Sequence, residues 1–144
     1  MKYEVVVFDW DGTLMDSEAR IVTCLRQAAA DVELPVPSVA ASRDIIGLGL
    51  DEAMARLFPA IGPVGRKALV DAYRGHWLAD DIAPSPMFDG AFALLEALRE
   101  QGTLLAVATG KSRRGLDRAL EDSGLQAQFA VTRCADETRS KPHP

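Results

Sequence analysis

The chain has 144 residues, 48% of them apolar, and its 21 acidic and 16 basic side chains leave a formal net charge of −5. That size gives one ordinary domain with room for a core, and the acidic balance excludes the clustered basic face that nucleic-acid binding requires. No apolar run approaches the roughly 20 residues that span a bilayer, so no membrane role is expected.

The opening segment, "MKYEVVVFDWDG", carries an acid in its short apolar stretch and lacks a small-residue cleavage site, so it does not read as a signal peptide. Its "EVVVF" run, Glu4 to Phe8, shows no alternation and predicts a strand buried on both faces of a parallel sheet. A helix is expected from Asp16 or Ser17, which cap it and can also form a hinge, with Ile21, Val22, Leu25, Ala29 and Val32 facing inward. "LPVPS" interrupts it, and Ser38 and Asp51 cap two short helices around "IIGLGL". Gly47 and Gly49 there fit either a plain turn or a loop closing over substrate.

A longer helix carries Leu69, Tyr73 and Trp77 at i, i+4 spacing, a pattern that reads as core rather than as a substrate cage. His76 reads as a surface or satisfied core histidine. "DIAPSPMFDG" is a return linker, followed by a helix capped by Asp89, striped by Phe92, Leu95 and Leu98, and ended by Gly102. A second buried strand spans Thr103 to Thr109 and a third Phe129 to Arg133. Between them lies a helix facing inward through Leu116, Ala119 and Leu120 and stopped by Gly124. Cys24 and Cys134, far apart and without ligand-like spacing, read as free thiols in a reducing cytoplasm. The expected fold is α/β, a Rossmann-like doubly wound parallel sheet (residues 1–15 and 88–144) interrupted by an all-helical insert (residues 16–87).

Asp9 and Asp11 stand one residue apart at the end of the first apolar run. A turn would explain Asp-Gly alone. A calcium loop counted from Asp9 needs Gly and Glu where Leu14 and Arg20 stand, and is rejected. A catalytic site at the carboxyl end of a central strand fits best. Two acids so close repel unless a cation or a proton intervenes, and Mg2+ is suited to that place. Gly12 lets the chain turn tightly behind the pair. "ATGKSRRG" resembles a phosphate-binding loop only in part, because Leu105 stands where the first glycine should be. Lys111, Arg113 and Arg114 read as a solvated helix start able to lend positive potential.

With these residues in view, "FDWDGTLMDS" resembles the first motif of the haloacid dehalogenase-like hydrolases. Thr109 and Gly110 resemble the second motif, and Lys141 in "SKPHP" the third, beside His143, to which no role falls. The helical insert matches the cap of the subgroup that includes phosphoglycolate phosphatases. The resemblance implies that Asp9 is the nucleophile and that Asp11 is the general acid and base. It implies that the Asp9 carboxylate and Asp11 carbonyl hold Mg2+, and that Thr109 and Lys141 stabilise the transferring phosphoryl group. Gly12, Thr13, Gly110 and Lys111 would bind substrate. The acid at position 11 separates this sequence from relatives that cleave carbon–halogen bonds or phosphonates.

The implied function is a Mg2+-dependent phosphatase acting on a small phosphorylated metabolite, with a phosphomutase as the alternative. The family's fourth motif, a later pair of acids, does not follow Lys141, and Asp136 and Glu137 precede it. The chain therefore reads as a fragment with an incomplete core. As given, it would be a catalytically impaired module able to bind or dimerise through open sheet.

Overall fold

Two hydrophobic clusters, one on a sheet and one among helices, organise the chain. The computed structural model describes residues 3–79 and 84–144; residues 1–2 of the opening segment and 81–83 of the linker lie outside the described residues. Strands Val5–Phe8 (β1), Leu104–Ala108 (β2) and Val131–Arg133 (β3) pair in parallel in the order β1-β2-β3. Val5 lies against Leu104 and Ala106 against Val131.

Helix Ala91–Glu100 lies between β1 and β2 in the chain, and Arg113–Ser123 between β2 and β3. Both cover the face that carries Leu105 and Val107, joined there by the fully buried Trp10 and by Leu14. On the other face Val5 is 47%, Val7 60% and Leu104 56% exposed. This corrects the expectation that the first strand is buried on both faces. Two successive crossovers of the same hand, advancing in the same direction along the sheet, put both helices on one side.

The helical unit comprises α1 (Glu18–Asp31), α2 (Val39–Asp44), α3 (Leu50–Leu57) and α4 (Pro63–Trp77); the two sheet-covering helices are α5 and α6. α1 and α4 pack through Leu25, Ala28, Ala29, Leu69 and Val70, with Met54 of α3 beside them. Pro63 opens α4, where its missing N–H leaves no intrahelical bond unmade. Ser38 Oγ accepts the Ala41 N–H at 3.0 Å and caps as expected, and Ser112 Oγ, which the sequence reading did not single out, accepts the Gly115 N–H at 3.1 Å. Gly49, not Asp51, is the cap of α3.

Gly90, in a left-handed conformation at φ 83°, replaces Asp89 as the cap of α5. Starting at Ala91 turns Ala91, Leu95 and Leu98 inward and leaves Phe92 50% exposed. His76 pairs with Asp31 across the helical unit. The chain leaves for this unit and returns from it side by side: the Asp16 N–H donates to Pro86 O at 2.8 Å, and the Phe88 N–H to Leu14 O at 2.9 Å.

Candidate active site

β1 ends at Phe8, and Trp10 is sunk in the core, so the flanking Asp9 and Asp11 both reach a cavity of about 530 Å³ between the strand ends and the helical unit. Gly12 turns the chain away at φ 76°, a conformation glycine adopts without strain. Asp9 Oδ1 accepts the Trp10 N–H at 2.8 Å and Lys141 Nζ at 2.9 Å. Its Oδ2 receives no hydrogen bond among the described residues. Asp11 accepts Ser17 Oγ at 2.6 Å and Lys111 Nζ at 3.1 and 3.2 Å. Each of the two like charges therefore has its own ammonium partner, which relieves their repulsion.

The Lys111 and Asp11 side chains are only 8% and 13% exposed. Lys111 is thus not a solvated helix start: its ammonium is drawn inward to Asp11 and lies 4.4 Å from the centre of the Trp77 ring. Arg113 has a separate place, pairing with Asp117 at 3.0 Å and Glu137 at 2.7 Å. Thr109, at the end of β2, is buried, and its Oγ1 accepts the Lys111 N–H at 3.1 Å, leaving the hydroxyl proton available to donate.

The loop between α2 and α3 lies directly on these strand ends. A Cβ at Gly47 would stand 3.7 Å from Asp9 Oδ2, and one at Gly12 3.6 Å from Ile46 Cγ2. One at Gly110 would run into the Leu48 carbonyl carbon at 2.6 Å, and one at Gly49 into Ser140 Cβ at 2.6 Å. Gly110 is accordingly the point where strand end and loop backbone touch, with no room for a side chain. Thr13 is exposed and outside the cavity wall, its N–H donating to Trp10 O at 3.1 Å.

Ile21, Leu25, Ile45, Leu48, Tyr73 and Trp77 form the helical side of the cavity. Tyr73 and Trp77 stack at 6.0 Å with 15° between their planes. Burial, and then the Asp11 charge, push the Tyr73 phenol well above its usual range, so it stays protonated and can donate. Arg20 sits 4.5 Å from the centre of the Trp77 ring and donates to the Trp77 carbonyl.

Ser17 is expected from the sequence as a cap or hinge. It occupies the cap position of α1 but, with ψ at 6° rather than extended, makes no side-chain capping bond, and its hydroxyl donates to Asp11 instead. A serine six residues after Asp11 at a helix start was the available signal. Nothing local marks Trp77 as a neighbour of Lys111.

Similarity to known proteins follows the same outline. The sequence profile described as "Haloacid dehalogenase-like hydrolase" matches residues 6–144. Tyrosine-protein kinase PtkA of Mycobacterium tuberculosis is 36% identical over 128 residues, covering 89% of this chain and 43% of that protein. Its solved structure superposes with a TM-score of 0.77 at 35% identity, covering 92% of this chain and 60% of that one. Phosphoglycolate phosphatase of Rhodospirillum rubrum is 32% identical over 131 residues, covering 85% of this chain and 54% of that protein. A haloacid dehalogenase-like hydrolase of Bacteroides fragilis shares the fold with a TM-score of 0.86 at 23% identity, covering 95% of this chain and 65% of that one. The chain thus spans 43% and 54% of these two curated relatives. Matched by the profile over nearly its whole length, the chain belongs to the haloacid dehalogenase-like hydrolase family.

Proposed function

We propose that the protein hydrolyses small phosphomonoesters with a divalent cation, through a phosphoryl group carried on Asp9. The reading rests chiefly on the Asp9 carboxylate, which has Lys141 on one oxygen and no donor on the other, at the edge of a cavity large enough for substrate. The donor set fits Mg2+: a carboxylate oxygen open to the cavity, with the Asp11 carbonyl as the second protein ligand. When bound, the ion would supply positive charge beside the reacting phosphoryl oxygens.

In this scheme Asp9 attacks phosphorus, and the bond from phosphorus to the leaving oxygen breaks. Asp11 gives that oxygen its proton, then takes one from the water that attacks phosphorus, breaks the Asp9–phosphorus bond and frees inorganic phosphate. Ser17 and Lys111 fix the Asp11 carboxylate, a positioning role. Thr109 Oγ1, the Gly110 N–H and Lys141 Nζ would offer donors to the phosphoryl oxygens. Residues 16–87 would serve as a cap moving on the paired segments at 14–16 and 86–88. The buried free thiols Cys24 and Cys134 support a cytoplasmic setting, and no helix among the described residues is long and apolar enough to cross a membrane.

The test is release of p-nitrophenol from p-nitrophenyl phosphate by the intact protein. Turnover should require magnesium and fall about 1000-fold or more in Asp9→Asn. Full activity in that variant would overturn the scheme. The name of the PtkA relative favours a second reading, in which a hydroxyl rather than water accepts the phosphoryl group. Alcohol released in excess of inorganic phosphate would select it.

A further inference from the structure

We infer that the preferred substrate is the phosphomonoester of a bulky aromatic alcohol, rather than of a two-carbon acid or a sugar. The inference rests on the phosphatase reading and adds the class of leaving group. Three observations carry it.

The first is size. A cavity of about 530 Å³ lies in the range that holds drug-sized ligands, and a two-carbon phosphate ester would leave most of it unfilled. The second is the distribution of polarity. Apart from Asp9, Asp11 and Lys111 at the strand ends, the charged groups along the wall, Asp51, Arg74, Arg114 and Asp136, are exposed, whereas Ile21, Leu25 and Ile45 are buried. The rim is therefore polar, and the helical side of the interior is apolar. Sugar hydroxyls set against that interior would lose their hydrogen bonds to water without replacement.

The third observation is the Tyr73–Trp77 pair, whose stacked rings both line the cavity and bring aromatic surface to it. The Tyr73 hydroxyl has no hydrogen-bond partner among the described residues and can donate to an oxygen of the leaving group. Lys111, held on Asp11 and against Trp77, joins the aromatic pair to the acid that would protonate the departing oxygen.

The experiment has two arms, both on the intact protein in magnesium buffer. In the first, 2-phenylethylphosphonate and ethylphosphonate, which carry no cleavable ester, are titrated by calorimetry. Burying the phenyl ring should tighten binding about 10- to 100-fold. Trp77→Ala should shrink that preference to within about threefold, whereas Tyr73→Phe, which keeps the stack, should preserve it. The wild-type pair decides the matter even if Trp77→Ala does not fold. Equal affinities, or tighter ethylphosphonate, overturn the inference.

In the second arm, hydrolysis of 2-phenylethyl phosphate is compared with that of ethyl phosphate. Equal or faster turnover of the ethyl ester overturns the inference and leaves the phosphatase reading standing. Turnover of neither ester overturns the phosphatase reading, and the titration still decides the pocket's preference.

Discussion

The two sides of the cavity are built on opposite physical terms. The strand ends present charge in matched pairs, Asp9 with Lys141 and Asp11 with Lys111. The helical unit presents aliphatic side chains and two stacked rings. Charge placed by strand ends is anchored in sheet hydrogen bonding and tolerates little displacement, as reaction geometry requires. An apolar wall acts through area and shape, so it can change its selection without altering the charges opposite. Lys111 belongs to both sides, since its ammonium bonds Asp11 and lies against Trp77. Under the proposed function, selection and chemistry would meet at that one side chain.

Each of the following measurements breaks or sharpens that contrast. The largest effect is expected from Leu69→Ala, which empties a fully buried position of the helical cluster and should lower stability by about 2–5 kcal/mol. Trp10 lies in the sheet cluster and Trp77 in the helical unit, and the chain has only these two tryptophans. Single-tryptophan variants thus report on each side in urea. The Trp77 signal should be lost at lower urea than the Trp10 signal, and coincident shifts would show that the two sides unfold as one. Lys111→Met leaves the Asp11 carboxylate without its buried cation. The expected loss is about 3 kcal/mol by urea denaturation, near the low end for breaking a buried pair; an unchanged midpoint would mean the pair contributes nothing.

Gly110→Ala pushes on the Leu48 carbonyl and should displace the loop over Asp9. Turnover of p-nitrophenyl phosphate should fall about 100-fold with the urea midpoint little changed; wild-type turnover would show that the loop is not held at that point.

The smallest effect concerns the thiols, one on each side. Burial pushes Cys134 from the ordinary 9.0 up to about 12. Cys24 is also raised by burial, with Arg20 partly opposing it. The native state therefore keeps the Cys134 proton where the unfolded chain loses it. The associated stability is fully present below pH 9 and is lost as pH rises toward 12. Melting temperature between pH 8 and 10.5 should fall more steeply in the wild type than in Cys134→Ala, and parallel slopes would contradict this.

Local chemistry sufficed for much of this protein. Short apolar runs such as "TLLAVAT" and "FAVTR" and the inward stripe of Leu116, Ala119 and Leu120 at helical spacing each became the element they suggested. Ser38 and Gly124 act on backbone within a few residues, so their positions alone disclosed the helix ends. The spacing of Asp9 and Asp11 behind an apolar strand likewise pointed to one place, and both acids line the cavity. Other features depended on what lies opposite in space. An unbroken apolar run does not say how many layers cover a strand, which is why the exposure of Val5 and Val7 emerged only from the handedness of two crossovers. Lys111 finds its partner 100 residues earlier in the chain, Ser17 gives up capping for a carboxylate, and the Trp77 ring meets both Arg20 and Lys111. Electrostatic and van der Waals forces act across distance in space, whatever the separation along the chain, so only the folded arrangement could decide these pairings.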